Sequence, residues 1–486
     1  MTSKRLLPTA DSRNLPAGKD DWLGIPNLQN HLVLLKAFHK TLVSVDGSVD
    51  YAKPITMGDT GGPHLYAFLA KATHRFDTWI RTSLRLRTSD APLTEVELPP
   101  LDVLMMFHSF MLSPWLCAED TELRFLELRK IGPFPLREVV KHIDDTGEYA
   151  PSPEQITFWE EQTGQPFDIL KMKSEVEVVC PSCRTTHITH WIVPGNETGY
   201  GEPGFALGCQ CGVRITHDAL CVGKLIRDLL ECRASERMVM RGTLFRGDID
   251  TEQARIARMT TKEVLRILGD PPDGLGHKVS WSMSNLTKRL ENAHDSYLSK
   301  TLIPRLLKPY SQSSPFSVDL HFKVLRQGHF ANAWVGSGFE ATPTRILEDA
   351  ISRYRVFLRT NASVLIVDQQ LDIVWHTHQL LGDGYRKQSL AYSGIFLDHL
   401  AMDEFEPSVD VLAKAKQDWK DSMIADGAVA PPAPCKNCKD PFCRGCEGRT
   451  YGDGHPSNFA ECCCSGVQPA FVFLDRFSGA TGSLVT

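Results

Sequence analysis

Leu371-Asp-Ile-Val-Trp-His-Thr-His-Gln-Leu380 reads either as a strand or as a helix, and the choice decides what kind of protein this is. In a strand, side chains two apart share a face, so His376 and His378 would point together at one metal ion. In a helix, residues two apart lie about 200° apart and cannot easily do so. A helix instead stacks Asp372, His376, Gln379 and Leu380, because residues three and four apart are neighbours. His378 then falls on another face with Val374 and Leu381. Residues 315–400 carry helical spacing, apart from a short strand-like piece at Val364–Val367, and this places the stretch on a helix. There Asp372 and His376 can ligate one ion, or Asp372 can orient His376 as a general base. Asp398-His399 lies downstream and can return to the same place. Two histidines and one carboxylate suit a divalent metal with open positions. A satisfied core histidine beside Trp375 and a partner-binding groove are the competing readings.

Further out, Leu28, Leu32, Leu35, Phe38 and Leu42 recur at helical spacing, as do Leu65, Leu69, Ala72, Phe76 and Ile80. A third helix is expected from Leu101 to Leu112, after Pro99-Pro100 and with Pro114 as a stop. His108 lies on its apolar face. Phe107-His108 with Leu112 echoes Trp375-His376 with Leu380, although the upstream aspartates, Asp102 and Asp372, precede their histidines by six and four residues.

Residues 175–216 have a different character: short apolar segments suggest strands around glycine-rich turns. Cys180-Pro-Ser-Cys183 and Cys209-Gln-Cys211-Gly212 enclose 25 residues. Two close thiolate pairs from separate turns supply a tetrahedral zinc site at low chain-entropy cost. His187, His190 or His217 could replace one sulfur. A closed four-thiolate site has no open position for substrate, which makes its role structural. Cys435, Cys438, Cys443 and Cys446 offer a second four-thiolate set, with His455 and Cys462-Cys463-Cys464 beyond it. A redox-active or disordered tail is the alternative there.

The chain has 486 residues, 42% of them hydrophobic, and a formal net charge of -6. That length suggests several domains with real cores. The charge and the lack of aromatic residues interleaved with basic ones argue against a nucleic-acid binder. No apolar run approaches the roughly 20 residues of a membrane span, and no signal peptide is evident. A cytoplasmic, or else nuclear, location is therefore expected, where clustered cysteines point to metal before disulfides. No phosphate loop, Gly-x-Ser-x-Gly elbow or His-Glu-x-x-His motif occurs. His142-Ile-Asp144 has the His-x-Asp form used by some iron oxygenases.

Taken together, Leu371–Leu380 followed by Tyr385 resembles the central signature of the glycine-rich domain-containing protein-like family. Asp102 to Pro114 is similar to its first histidine motif. Pro315-Phe-Ser-Val-Asp-Leu320 with Leu325-Arg-Gln327, and Gly394 to His399, resemble two further blocks. The cysteine pairs resemble the fungal version. The chain departs from the family at Phe110, where a second histidine is common, and at Gly382-Asp-Gly384, where a proline is common. The glycine-rich tail is replaced by cysteines. The resemblance implies an undefined biochemical activity.

The expectation is a mainly α protein with a small inserted zinc-bound β module and two helical lobes carrying related histidine motifs. The boundaries run as a flexible arm (1–20), a first lobe (21–174), the β module (175–216), a second lobe (217–425), a Pro-rich linker (426–434) and a Cys-rich extension (435–486). Functionally it reads as an interaction or regulatory module with an unknown protein or small-molecule ligand. The alternative is a metal-dependent or general-base enzyme, of the kind found in fungal secondary metabolism. Its site would use Asp372, His376 and His378, with His399 or His108.

Overall fold

The computed structural model describes residues 22–51, 61–244, 252–269, 272, 274–293, 298, 302–335, 342–359, 364–394, 396–401 and 470–473. The arm at 1–20, the linker at 426–434 and the second cysteine set, Cys435, Cys438, Cys443 and Cys446, lie outside the described residues.

The fold is mainly α, with a small β module and two helical lobes. The chain opens with α1 (Ile25–Val45), α2 (Pro63–Trp79), α3 (Leu101–Met111), α4 (Pro114–Leu123), α5 (Leu136–Val140) and α6 (Pro153–Thr163). Prolines start several of them, because a first-turn residue needs no N–H partner. Pro114 therefore does two things: α3 stops before it and α4 begins at it. Ser152 and Gln155 form a reciprocal cap on α6, and Gly164 closes that helix at a φ of 67°.

Two antiparallel hairpins follow, β1 (Glu175–Val179) with β2 (Thr186–His190) and β3 (Ala206–Gly208) with β4 (Arg214–Thr216). Val176, Val178, Trp191, Phe205, Val213 and Ile215 form their small core. Next come α7 (His217–Ala234), α8 (Glu252–Leu268), α9 (Leu275–Lys278), α10 (Met283–Glu291) and α11 (Leu302–Leu307), which enclose a core running from Val222 to Tyr310. The chain then forms α12 (Leu320–Val335), α13 (Thr344–Arg359), β5 (Val364–Val367), α14 (Gln369–Gln379), α15 (Asp383–Ser393), β6 (Leu400–Ala401) and β7 (Ala470–Phe473).

The division between lobes differs from the sequence boundaries. Helices α12 to α15 share one core with α1 to α5, so residues 316–397 complete the first lobe and both histidine motifs lie in it. The second lobe is the intervening stretch around α7 to α11. The physical reason is that α1 and α3 each present an apolar stripe that α12 covers, and α14 also packs on α1. The Cys-rich extension also contributes structure. Ala470–Phe473 pairs with β5 and β6, matching Val364 to Phe473 and Ala401 to Ala470. Among the described residues no single helix is long and apolar enough to cross a membrane.

A buried ion network joins the lobes. Asp228 of α7 accepts from the Tyr310 hydroxyl at 2.7 Å and pairs with Arg241 at 2.9 Å and Arg124 at 3.3 Å. Glu119 of α4 accepts from the backbone N–H groups of Gly242 at 2.7 Å and Leu244 at 2.9 Å. Burial alone would raise the Asp228 carboxyl, but Arg241 and Arg124 overcome it and hold the group below its ordinary value. Removing one member of such a network strands the others in a poorly solvating interior. Asp228→Ala is therefore expected to lower the unfolding free energy by about 3–5 kcal/mol, read by urea denaturation. A loss within experimental error would show that the lobes do not depend on this seam.

Candidate metal centre and its surroundings

The sequence places one turn of helix between Asp372 and His376, and α14 keeps that register. Asp368 starts the helix, its carboxylate accepting from the N–H groups of Gln370 and Leu371. His376 Nε2 then lies 3.3 Å from Asp372 Oδ1. His399 arrives from the segment after α15. Its Nε2 lies 3.0 Å from His376 Nε2 and 3.1 Å from Asp372 Oδ1. Ligands about 2.0–2.2 Å from one ion sit roughly 2.9–3.5 Å apart at coordination angles between 90° and 109°. The three atoms form such a triangle, and the group is geometrically able to hold a metal ion.

The returning segment is tightly held. Trp115 donates from its ring N–H to the Phe396 carbonyl at 2.9 Å, and from its backbone N–H to Asp398 at 3.2 Å. The Leu397 N–H donates to Ser389 Oγ at 2.9 Å, and the Tyr385 hydroxyl donates to the Leu397 carbonyl at 3.1 Å. Trp375 donates to that same Tyr385 hydroxyl at 2.8 Å and its ring lies 4.6 Å from His399. Phe330 packs on His376 with centroids 4.8 Å apart. These contacts fix ring orientations before any ion arrives, the role that surrounding groups play at metal sites.

The three candidate ligands are buried, with exposures of 6%, 1% and 6% for Asp372, His376 and His399. Burial raises the Asp372 carboxyl, against the pull of His376 and Arg326. Burial lowers His376 to about 3, so its imidazole is neutral and its lone pair free to ligate. A carboxylate and two imidazoles facing one point make a donor set that suits a divalent cation.

Two residues assigned to this site from the sequence are elsewhere. His378 is turned away by the helix. Its Nε2 donates to Gln388 Oε1 at 2.8 Å, and its Nδ1 receives the Tyr354 hydroxyl at 2.9 Å, so both nitrogens are satisfied. His108 does not join the triangle either. Its Nε2 lies 2.8 Å from Nε2 of His31. Asp102 does not serve His108, because Arg75 binds it at 2.7 Å in a buried ion pair. His142 and Asp144 form no site: His142 faces Glu95 and the Ala150 carbonyl, while Asp144 caps the turn to Glu148.

His31 was missed from the sequence. Its signal was a histidine on the apolar stripe of α1, between Leu28 and Leu32. Its protonation can be read from its neighbours. The Thr377 hydroxyl donates to the Ile373 carbonyl at 2.7 Å, so it can only accept from His31 Nδ1, 2.8 Å away. His31 Nε2 is therefore a lone pair, and His108 Nε2–H donates to it. This leaves His108 Nδ1 as a buried acceptor with no partner among the described residues.

The cysteine module is built from the two hairpin tips. The Cys180 N–H donates to Thr185 O at 2.9 Å, and the chain turns at Arg184 with a φ of 66°. The Cys209 N–H donates to Val213 O at 3.0 Å, with Gly212 at a φ of 86°, a conformation that favours glycine. Sulfurs approach at 3.7 Å for Cys180 and Cys211 and 3.5 Å for Cys183 and Cys209. Tetrahedral thiolates on zinc lie roughly 3.8 Å apart. All four sulfurs converge, and this group too is geometrically able to hold a metal ion. His187 stays outside as a neighbour of Cys209, 3.2 Å from its sulfur, while His217 binds Ser313 and Glu202. The Thr185 hydroxyl beside Cys183 favours its thiolate and brings that thiol down to about 6.

Burial lowers His108 to about 3 from its usual 6.5, so the unfolded chain takes up this proton first and acid favours unfolding. Below pH 6.5 the group costs about 1.4 kcal/mol per pH unit, down to its folded value. Between pH 7 and 5, wild type should lose roughly 2 kcal/mol more unfolding free energy than His108→Gln. Equal losses in urea titrations at the two pH values would contradict a neutral buried His108. No protein-family model, no curated protein and no solved structure matches the chain.

Proposed function

We propose that this is a metalloprotein with two kinds of site, a structural zinc at Cys180, Cys183, Cys209 and Cys211, and a reactive divalent ion at Asp372, His376 and His399. The reading rests on the triangle of Nε2, Nε2 and Oδ1 atoms with sides of 3.0, 3.1 and 3.3 Å. Structural zinc sites close with four protein ligands, whereas catalytic sites use three and leave a position for water or substrate. The ion would act as a Lewis acid or lower the pKa of a bound water, and the two imidazoles and Asp372 would hold it in place. Among the described residues the thiolate set has four members and the histidine set three, and that difference separates the two roles.

The same proposal keeps the chain in the glycine-rich domain-containing protein-like family. Its support is that the resembling blocks supply the convergent side chains: Asp372 and His376 from one, His399 from another. A second reading, a zinc-stabilised interaction module, is favoured by the depth of the triangle, where His376 is 1% exposed. In that reading the ion ties α14 to the 396–399 segment and does no chemistry.

Elemental mass spectrometry on protein purified without chelator tests the proposal. Wild type is expected to carry a metal equivalent that Asp372→Ala and His399→Ala both lose while the thiolate zinc stays. Cys209→Ser should lose the zinc and keep the other ion. Identical metal content in wild type and the Asp372 and His399 variants would remove the second site. If the ion is present but its loss only lowers thermal stability, and no small anion or chelator binds it, the interaction reading replaces the catalytic one.

A further inference from the structure

The junction between the β module, α2, α7 and the loop before α12 carries a second arrangement that the metal centre does not use. Ser313 Oγ lies 3.1 Å from His217 Nδ1. His217 Nε2 lies 3.2 Å from the backbone carbonyl of Glu202. A carbonyl oxygen only accepts, so Nε2 carries the proton and Nδ1 is a lone pair. The Ser313 hydroxyl must then donate to Nδ1. Nucleophile, base and an acceptor that orients the base stand in line at hydrogen-bonding distances.

We propose that Ser313 and His217 form a nucleophile–base pair for acyl transfer from a small carboxylic ester. The partly exposed loop bearing Ser313 is held by buried hydrogen bonds. Lys224 donates to the carbonyls of Pro309 at 2.7 Å and Phe316 at 2.6 Å, and Gln312 donates to Phe316 O at 2.6 Å. His217 opens α7, where Thr216 caps the helix by accepting from the Ala219 N–H at 3.1 Å. Its ring is held between Phe205 and Tyr200, with centroids at 5.2 and 5.6 Å. Such support fixes both partners without a sequence elbow. Burial lowers His217 to about 4, so the ring is neutral at rest, while its bond to the Glu202 carbonyl favours the charged form that accepting a proton creates. Tyr200 lies beside the pair, and burial raises its hydroxyl so that it stays protonated.

In the reaction, Ser313 Oγ bonds to the ester carbonyl carbon while its proton passes to His217 Nδ1. The carbonyl electron pair moves to oxygen. On collapse the carbon–oxygen bond to the alcohol breaks, and the leaving alkoxide takes the proton from Nδ1. Water then repeats the sequence on the acyl-serine, releasing the acid and restoring the hydroxyl. The Glu202 carbonyl holds the imidazolium formed in each half, and no other reactant is needed.

The full-length chain is incubated with a fluorophosphonate, and the adduct is located by peptide mass spectrometry. One equivalent on Ser313 is expected, with Ser313→Ala giving none. His217→Gln should slow labelling roughly 100-fold or more, the usual contribution of a positioned base. Tyr200→Phe should slow it less, and 4-nitrophenyl acetate turnover should follow the same order. Retained zinc content and far-UV circular dichroism show that each variant is folded. If Ser313 labels no faster than scattered surface serines, or if folded His217→Gln labels at the wild-type rate, the pair is a structural hydrogen bond and the proposal falls.

Discussion

A carboxylate placed in a protein interior has to be compensated, and Asp372 is the group whose compensation shapes the first lobe. Its neighbour His376 comes free with the helix, one turn along. The second neighbour, His399, has to be brought from beyond α15, and the aromatic contacts of Trp115, Trp375 and Tyr385 do that. None of these rings touches the carboxylate through a charge. Trp115 and Tyr385 donate to the Phe396 and Leu397 carbonyls, and Trp375 donates to the Tyr385 hydroxyl, which fixes where His399 points. The packing of the lobe and the geometry of its site are thus one arrangement seen from two sides.

The seam between the lobes follows a different logic. Its charges are matched almost entirely by backbone groups and by one another: Glu119 takes two N–H groups, Lys224 gives to carbonyls, and Asp228 gathers two guanidiniums and a phenol. Such a network adds little net stability compared with apolar packing, but it is costly to break in part. It therefore fixes one relative placement of α4, α7 and the 239–244 segment. The same Lys224 that belongs to this seam also pins the loop carrying Ser313, so the geometry of that serine depends on the lobes being joined.

Periodicity made the helices legible in the sequence, because burial acts on each stripe separately: Leu28, Leu32, Leu35 and Phe38 are all buried as their spacing implies. The thiolate pairs were legible for a similar reason, since a hairpin tip is a local structure. Asp372 with His376 was legible as a helical pair, and His399 as a downstream candidate. What could not be read was which helices share a core. The contact of α12 with α1 spans most of the chain, and nothing in either stripe names its partner. His31 and Ser313 escaped for the same reason. Each is an ordinary residue until a distant segment supplies its partner, Thr377 and His108 in one case, His217 in the other.

The two echoing histidine motifs show how one added side chain redirects a site. His108 and His376 both sit on buried helices and both place Nε2 against Nε2 of a second histidine, at 2.8 and 3.0 Å. On α14 the aspartate lies one turn before the histidine and faces it. On α3 the aspartate lies six residues before, which turns it about 120° away, and Arg75 claims it along with the Pro166 and Phe167 carbonyls. The first motif is left with neutral imidazoles alone, and the Thr377 hydroxyl fixes their protons as donor and acceptor. The second keeps a carboxylate between its imidazoles, where two ring nitrogens and a carboxylate oxygen converge. A shift of two residues in the aspartate is therefore enough to make one motif a hydrogen-bonded pair and the other a place for a cation.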